Sequence, residues 1–216
     1  YVATYDDLGA NACRILVPGM SDIYPVEDLL LANNTMGAHL REVILALPSL
    51  EWNAEQYMAL FDQLDEEGHD ERTRVRELLG IAAAKGSALH TLRIGELKAM
   101  LALAAGDLES ALDLIDWTME FNQSVFPADR ANYYRALRAC VELFLDEERD
   151  PEQYRPVFAR MFGEETLAEA WAHARGEARF HGLEAADLSL SQFPLHQKLL
   201  AAYEKLQKAK RAHSWA

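Results

Sequence analysis

The chain has 216 residues, half of them hydrophobic, and 35 acidic against 21 basic side chains leave a formal charge of −14. That is enough apolar material for one large or two small domains, and the charge opposes direct binding to nucleic-acid phosphates, which needs clustered Lys and Arg. No apolar run approaches the roughly 20 residues of a membrane span, no basic-then-apolar leader opens the chain, and Cys13 and Cys140 lack metal-type spacing, so a cytoplasmic protein is expected.

The first predicted element is one strand, Ala12-Cys13-Arg14-Ile15-Leu16-Val17, stopped by Pro18-Gly19. One strand cannot satisfy its own backbone groups or bury both faces. Ile15 and Val17 are therefore expected to join a sheet whose other strands lie upstream, and the start at Tyr1 rather than Met predicts a piece of a larger protein. Pro25 suits a first helical position and marks a hinge: residues 1–25 end one domain, and residues 26–216 form a second, helical one.

Helical signals then recur to the end. Asn53 with Gln56 resembles a capping box, and Asp150-Pro151 with Gln153 repeats the arrangement. Gly68, Gly86, Gly106 and Gly176 are candidate stops. Helices are predicted near 26–47, 53–67, 70–84, 90–105, 108–122, 127–147, 151–162, 164–180 and 194–211, with Asn33-Asn34 a candidate break in the first. The strongest signal is an antiparallel pair: Leu97, Met100, Leu101 and Ala104, the turn Gly106-Asp107, then Leu108, Ala111, Leu112, Ile115 and Met119. With small residues at Ala99 and Ala111 it matches one tetratricopeptide unit, whose period is about 34 residues. Stepping by that period meets Tyr133 and Leu145, or Asp65 and Glu77, where small residues are wanted. The expected fold is all-α, a degenerate tetratricopeptide-like helical hairpin array after the short β segment; an irregular bundle with one accidental match fits the spacing equally.

Several stretches carry a resemblance. Arg14-Ile15-Leu16-Val17-Pro18-Gly19-Met20-Ser21-Asp22-Ile23-Tyr24-Pro25 resembles the end of a YcaO catalytic domain. More specific are Thr73-Arg74-Val75-Arg76-Glu77-Leu78-Leu79-Gly80, Thr91-Leu92-Arg93-Ile94-Gly95-Glu96-Leu97-Lys98-Ala99-Met100, Trp117-Thr118-Met119-Glu120-Phe121-Asn122 and Ala202-Tyr203-Glu204-Lys205-Leu206-Gln207. Together, over nearly the whole chain, they resemble the C-terminal extension of the YcaO branch that makes no azolines and is described as an accessory to β-methylthiolation of a small-subunit ribosomal protein. The resemblance implies a parent that uses ATP and magnesium to activate amides, with the residues for both upstream of this segment. It implies contact with the parent's own catalytic domain, a homodimer, and a ribosomal protein or methylthiotransferase as partner. Azoline-forming members end in a proline-rich tail, whereas this chain ends Lys210-Arg211-Ala212-His213-Ser214-Trp215-Ala216.

Within the chain no catalytic, cofactor or metal residue is assigned. His173 and His181, eight apart with Glu169 and Glu177 at helical offsets, read either as metal ligands or as polar residues on an amphipathic helix; a closed metal site wants three or four convergent ligands. His39 with Glu42, and His69 with Asp70 and Glu71, are weaker sets. The acidic run from Asp62 to Asp70 lacks the spacing of a calcium loop, and Cys140, between Leu137 and Phe144, reads as a buried small hydrophobe. The last helix carries Leu195, Leu199, Ala202, Tyr203 and Leu206 on one stripe, with Lys198, Lys205, Lys208 and Lys210 elsewhere; these cations meet an acidic partner or pair within the domain. Of the aromatics near the best hairpin, Tyr134 falls on a core stripe and Tyr133 one position off it. Tyr133, Arg93 and Glu96 are the candidate partner-binding residues, with core or edge packing as the other reading of each. The functional expectation is a helical interaction and dimerisation domain that makes no bonds itself. The alternative is direct support of ATP-dependent amide activation, with His213 or the end carboxylate near the nucleotide.

Overall fold

The structure, a computed structural model, describes residues 2–5, 10–13, 35–122 and 126–212. Two strands, not one, precede the helices: β1 (Val2–Tyr5) and β2 (Ala10–Cys13) pair antiparallel, with Val2 opposite Cys13 and Tyr5 opposite Ala10. β2 shares Ala12 and Cys13 with the expected strand, and a hairpin satisfies one edge of each of its strands. Ile15, Val17, the hinge at Pro25 and the first part of the helix expected over 26–47 lie outside the described residues.

From Thr35 onward the regular structure of the described residues is helical apart from one isolated bridge. α1 (Arg41–Ala46) is flanked by 3-10 turns at Ala38–Leu40 and Leu47–Ser49. α2 (Ala54–Glu66) begins with the expected capping box: Gln56 N–H donates to Asn53 Oδ1 at 2.9 Å, and Asn53 N–H donates to Gln56 Oε1 at 3.1 Å. The helix expected over 70–84 shrinks to the single turn α3 (Val75–Leu78). Tertiary pairing overrides propensity there, because Val75 N–H donates to Leu92 O at 2.9 Å and Ile94 N–H to Thr73 O at 3.0 Å, around the antiparallel bridge Arg74–Arg93. The same bridge breaks the helix expected over 90–105 into α4 (Ala88–Thr91) and α5 (Ile94–Ala105).

α5 and α6 (Leu108–Asn122) form the predicted hairpin. Gly106 adopts φ 80°, Asp107 N–H donates to Ala102 O at 3.0 Å, and Asp107 Oδ1 accepts from Ser110 N–H at 3.1 Å. One dipeptide thus closes the first helix and caps the second. α7 (Ala128–Leu145) packs on α6 and on α9 (Glu164–Ala174), with α8 (Pro151–Phe162) between them in sequence. Asp150 caps α8 through Glu152 N–H, but Gln153 donates its side chain to the Asp150 carboxylate instead of completing a capping box. α9 stops short of the expected 180 because Gly176, at φ 71°, turns the chain back. α10 (Pro194–Ala212) ends the described chain. These pairings make an all-α array of helical hairpins and do not establish tetratricopeptide geometry.

α5 is the central element: ten of its twelve residues are buried, as expected of a helix that is apolar all round. Its Leu97 and Leu101 join α1, α2, α3 and the 180–190 segment in one core. Ala99, Ala102 and Leu103, on another face, join α6, α7 and α9 in a second. Gly95 has no room for a side chain: a Cβ there would lie 2.6 Å from the Trp117 ring of α6.

Candidate functional site

A groove of about 650 Å³ lies between these two cores. One wall is apolar, with Ile44 and Leu45 of α1 and Leu89 and Leu92 at α4; the opposite wall presents Asp129, Arg130 and Tyr133 of α7 and Glu169 of α9. A strap from His181 to Phe193 forms the third side. Phe180 and Leu190, buried at the ends of that strap, adopt φ of 55° and 53°, a left-handed conformation that bulky residues take only when packing over-determines it. Ala186 N–H donates to Leu45 O at 2.9 Å, tying the strap to α1, and Ala82 N–H donates to His196 Nδ1 at 3.3 Å, tying the start of α10 to the loop before α4.

Behind the α7 wall is a buried polar network. The Glu96 carboxylate, fully buried, accepts from the Arg130 guanidinium and from Tyr134 Oη, the latter at 2.5 Å. Arg130 also donates to Thr91 Oγ1 at 2.7 Å and covers the Phe126 ring at 4.7 Å. Burial works against the guanidinium charge, but Glu96 more than offsets it and the Arg130 pKa rises. Burial, then the adjacent Glu96 carboxylate, pushes the Tyr134 phenol well above its ordinary value. Glu96 Oε2 and Arg130 Nε have no hydrogen-bond partner among the described residues.

Beside this network Tyr133 stacks on His181, ring centroids 3.6 Å apart and nearly parallel, and His181 Nδ1 meets Glu169 Oε1 at 2.7 Å. His173 stands edge-on to both rings, with its Nδ1 at 2.8 Å from the Glu169 carbonyl oxygen. Burial depresses the His173 pKa despite that carbonyl. The turn at Gly176, not a continuous helix, brings His181 to Glu169, and Glu177 instead pairs with Arg175 at 3.1 Å.

Each of the three candidate contacts has an internal partner. Glu96 and Tyr133 are buried, and Arg93 is half-buried, donating to Asn122 Oδ1 at 2.8 Å and to the Arg72 carbonyl. Burial of one charge next to another on a central helix selected Glu96 for internal pairing, and the stack on His181 fills the space around Tyr133. His39 and His69 meet through a residue that neither was paired with in sequence: their Nε2 atoms lie 2.8 Å and 2.7 Å from the two oxygens of Glu67. Among the described residues no three His, Cys, Asp or Glu side chains are arranged to hold a metal, and no helix is long and apolar enough to cross a membrane. Cys140 is buried, which pushes its thiol up to about 12, in keeping with the small-hydrophobe reading. His213 and the end carboxylate lie outside the described residues. Sequence reasoning missed Arg130 and the groove. Arg130 lies 34 residues beyond Glu96, and no local pattern joins the two.

The groove thus joins apolar walls to carboxylates at its edge. Comparison with known proteins places the architecture in a family. Residues 37–212 match the YcaO cyclodehydratase C-terminal domain. The chain is 59% identical over 216 residues to the Ribosomal protein S12 methylthiotransferase accessory factor YcaO of Escherichia coli (strain K12), covering 100% of this chain and 37% of that protein. It is 52% identical over 212 residues to an uncharacterized protein of Haemophilus influenzae, covering 98% of this chain and 36% of the relative. The chain thus spans little more than a third of the length of the curated relatives it matches. A family match over residues 37–212 and this identity make the chain a member of the YcaO C-terminal domain family.

Proposed function

We propose that this chain is the helical interaction and scaffolding region of a YcaO-type ATP-dependent protein resembling the E. coli accessory factor. On this reading residues 1–25 close an upstream catalytic domain that holds ATP and magnesium, and residues 26–216 are a tetratricopeptide-like docking domain. Its contacts are that catalytic domain, a second copy in a homodimer, and a ribosomal protein or methylthiotransferase, in the cytoplasm.

The observation that carries the reading is apolar surface left uncovered on two helices. α10 exposes Leu195 and Leu199 at 44% each, and α8 exposes Val157 at 54% and Met161 at 63%. Each pair is spaced i, i+4 and so lies on one helix face, and contiguous exposed apolar surface marks contact sites. Beyond its first turn α10 keeps Lys198, Lys205 and Lys208 exposed, with no ion pair to its own domain among the described residues.

The test is to prepare the longer parent protein with and without residues 26–216 and to measure subunit assembly, partner capture and nucleotide turnover. Loss of assembly and partner capture is expected. Unchanged assembly and partner capture in the truncated protein would overturn the reading, whatever happened to turnover.

A further inference from the structure

We propose that the groove between the two cores binds an extended, basic protein segment that also carries apolar side chains; this rests on the interaction-domain reading and names the class of partner. The apolar part follows from the walls, where Ile44, Leu45, Leu89, Leu92, Leu183 and Phe193 face the cavity. The basic part follows from charge. The lining carries the carboxylates Asp129, Glu169 and Glu184; Glu169 is engaged by His181 at 2.7 Å and the Arg130 charge is balanced by the buried Glu96, which leaves Asp129 and Glu184 to set the sign of the rim. Glu164 and Glu165 in the first turn of α9 extend the same sign beside the groove residue Thr166. Lys85, between the rim residues Ala84 and Gly86, does not line the groove.

The rim residues Gly86, Ser87, Pro127, Gln192 and Pro194 are exposed, so the site is a trough open to solvent that an extended chain can enter sideways. Successive side chains of an extended segment point to opposite sides, which sets apolar residues onto the walls. Lys and Arg lay their aliphatic stems along apolar surface and carry the charged head outward, here to the Asp129 and Glu184 carboxylates. The same field rejects an acidic segment or a nucleic acid.

The experiment is fluorescence anisotropy on the 216-residue chain with labelled peptides of about ten residues, long enough to cross the groove extended. One alternates Leu with Lys, one alternates Leu with Glu, and one alternates Ser with Lys. The Leu/Lys peptide is expected to bind at least about tenfold more tightly than either other, and to weaken in about 0.5 M salt. The variant D129K/E184K, which reverses two exposed rim charges, is expected to weaken it about tenfold, whereas E147K/E148K, at exposed carboxylates that do not line the groove, leaves it within about twofold. T166W, which fills the trough, abolishes binding; circular dichroism checks its fold, and should it unfold, D129K/E184K decides alone. Equal binding of the Leu/Lys and Leu/Glu peptides, indifference to D129K/E184K, or competition by spermidine as strong as by the Leu/Lys peptide overturns the proposal. If residues 26–216 prove necessary for assembly of the parent while the peptides fail, the groove assignment alone falls. If the truncated parent assembles normally while the Leu/Lys peptide still binds, the assembly role falls and the groove stands.

Discussion

Two charged side chains two positions apart on α5, Glu96 and Lys98, meet the same problem of burial in opposite ways. Glu96 is fully enclosed, and its partner Arg130 is half-buried at the wall of the groove. The Lys98 side chain is itself 5% exposed, but its ammonium reaches Asp65 at 2.6 Å and Glu71 at 3.0 Å, carboxylates that are 53% and 36% exposed, and lies over the Phe61 ring at 4.8 Å from its centroid. Burial tends to lower the Lys98 pKa, yet the two carboxylates raise it overall. Glu96 has no solvent to replace a lost partner, whereas Asp65 and Glu71 do. Position along one helix, not charge, thus decides how much each pair matters.

The sharpest way to break this comparison is Glu96→Ala. It strands Arg130 without its counter-charge, and a loss of about 3–5 kcal/mol is expected in urea unfolding, enough to threaten folding. Should E96A cost less than about 1 kcal/mol, the two networks are equivalent and the contrast fails. Gly95→Ala separates charge from packing on the same turn of α5. The added methyl meets the Trp117 ring, and destabilisation of about 1–3 kcal/mol is expected with the Glu96–Arg130 pair intact, read by thermal unfolding and by a changed Trp117 fluorescence. Tyr134→Phe removes one donor from Glu96 and leaves the ion pair; about 1–2 kcal/mol should be lost, and in a double-mutant cycle with E96A the two effects should be strongly non-additive. Lys98→Met keeps the stem and deletes the exposed-edge pairing, and a change within about 1 kcal/mol is expected.

The smallest effect tests a third arrangement, the Glu67 carboxylate between His39 and His69. The hydrogen bond from His39, then that from Gln63, lowers the Glu67 pKa from 4.5 to about 2. A depressed carboxylate contributes stability that is present above the unfolded value and is lost as pH falls through the folded one. Stability from this group is therefore full above about pH 4.5 and declines towards about pH 2. In Glu67→Gln the acid limb of the stability profile should flatten in that window, measured by urea midpoints at successive pH; an unchanged limb means that Glu67 does not tie the Ala38–Leu40 turn to α2.

Signals that act over a few residues were readable in advance. Asn53 with Gln56 announced the start of α2, and Gly106-Asp107 announced both the end of α5 and the cap of α6, since caps and left-handed stops depend on local backbone geometry. The core reading of Tyr134 and of Cys140 held for a similar reason: a helix keeps i, i+3 and i+7 on one face wherever it packs. The residues from 70 to 93 were misread because their conformation is set by the Arg74–Arg93 bridge, a pairing that no local pattern declares. For Arg93, Glu96 and Tyr133 spacing leaves both a partner contact and core or edge packing open, because it does not say what lies against them.

By itself, then, the sequence determined the helical class, most helix limits, the hairpin at its centre and the family, because each is written in periodicity, punctuation or direct similarity over short stretches. Only the tertiary structure decided that α5 is buried on every side, that Arg130 crosses to Glu96, and that a strap held at Phe180 and Leu190 turns the space between two cores into a groove. Those features depend on contacts between residues far apart in the chain, whose partners are chosen by packing and desolvation rather than by spacing.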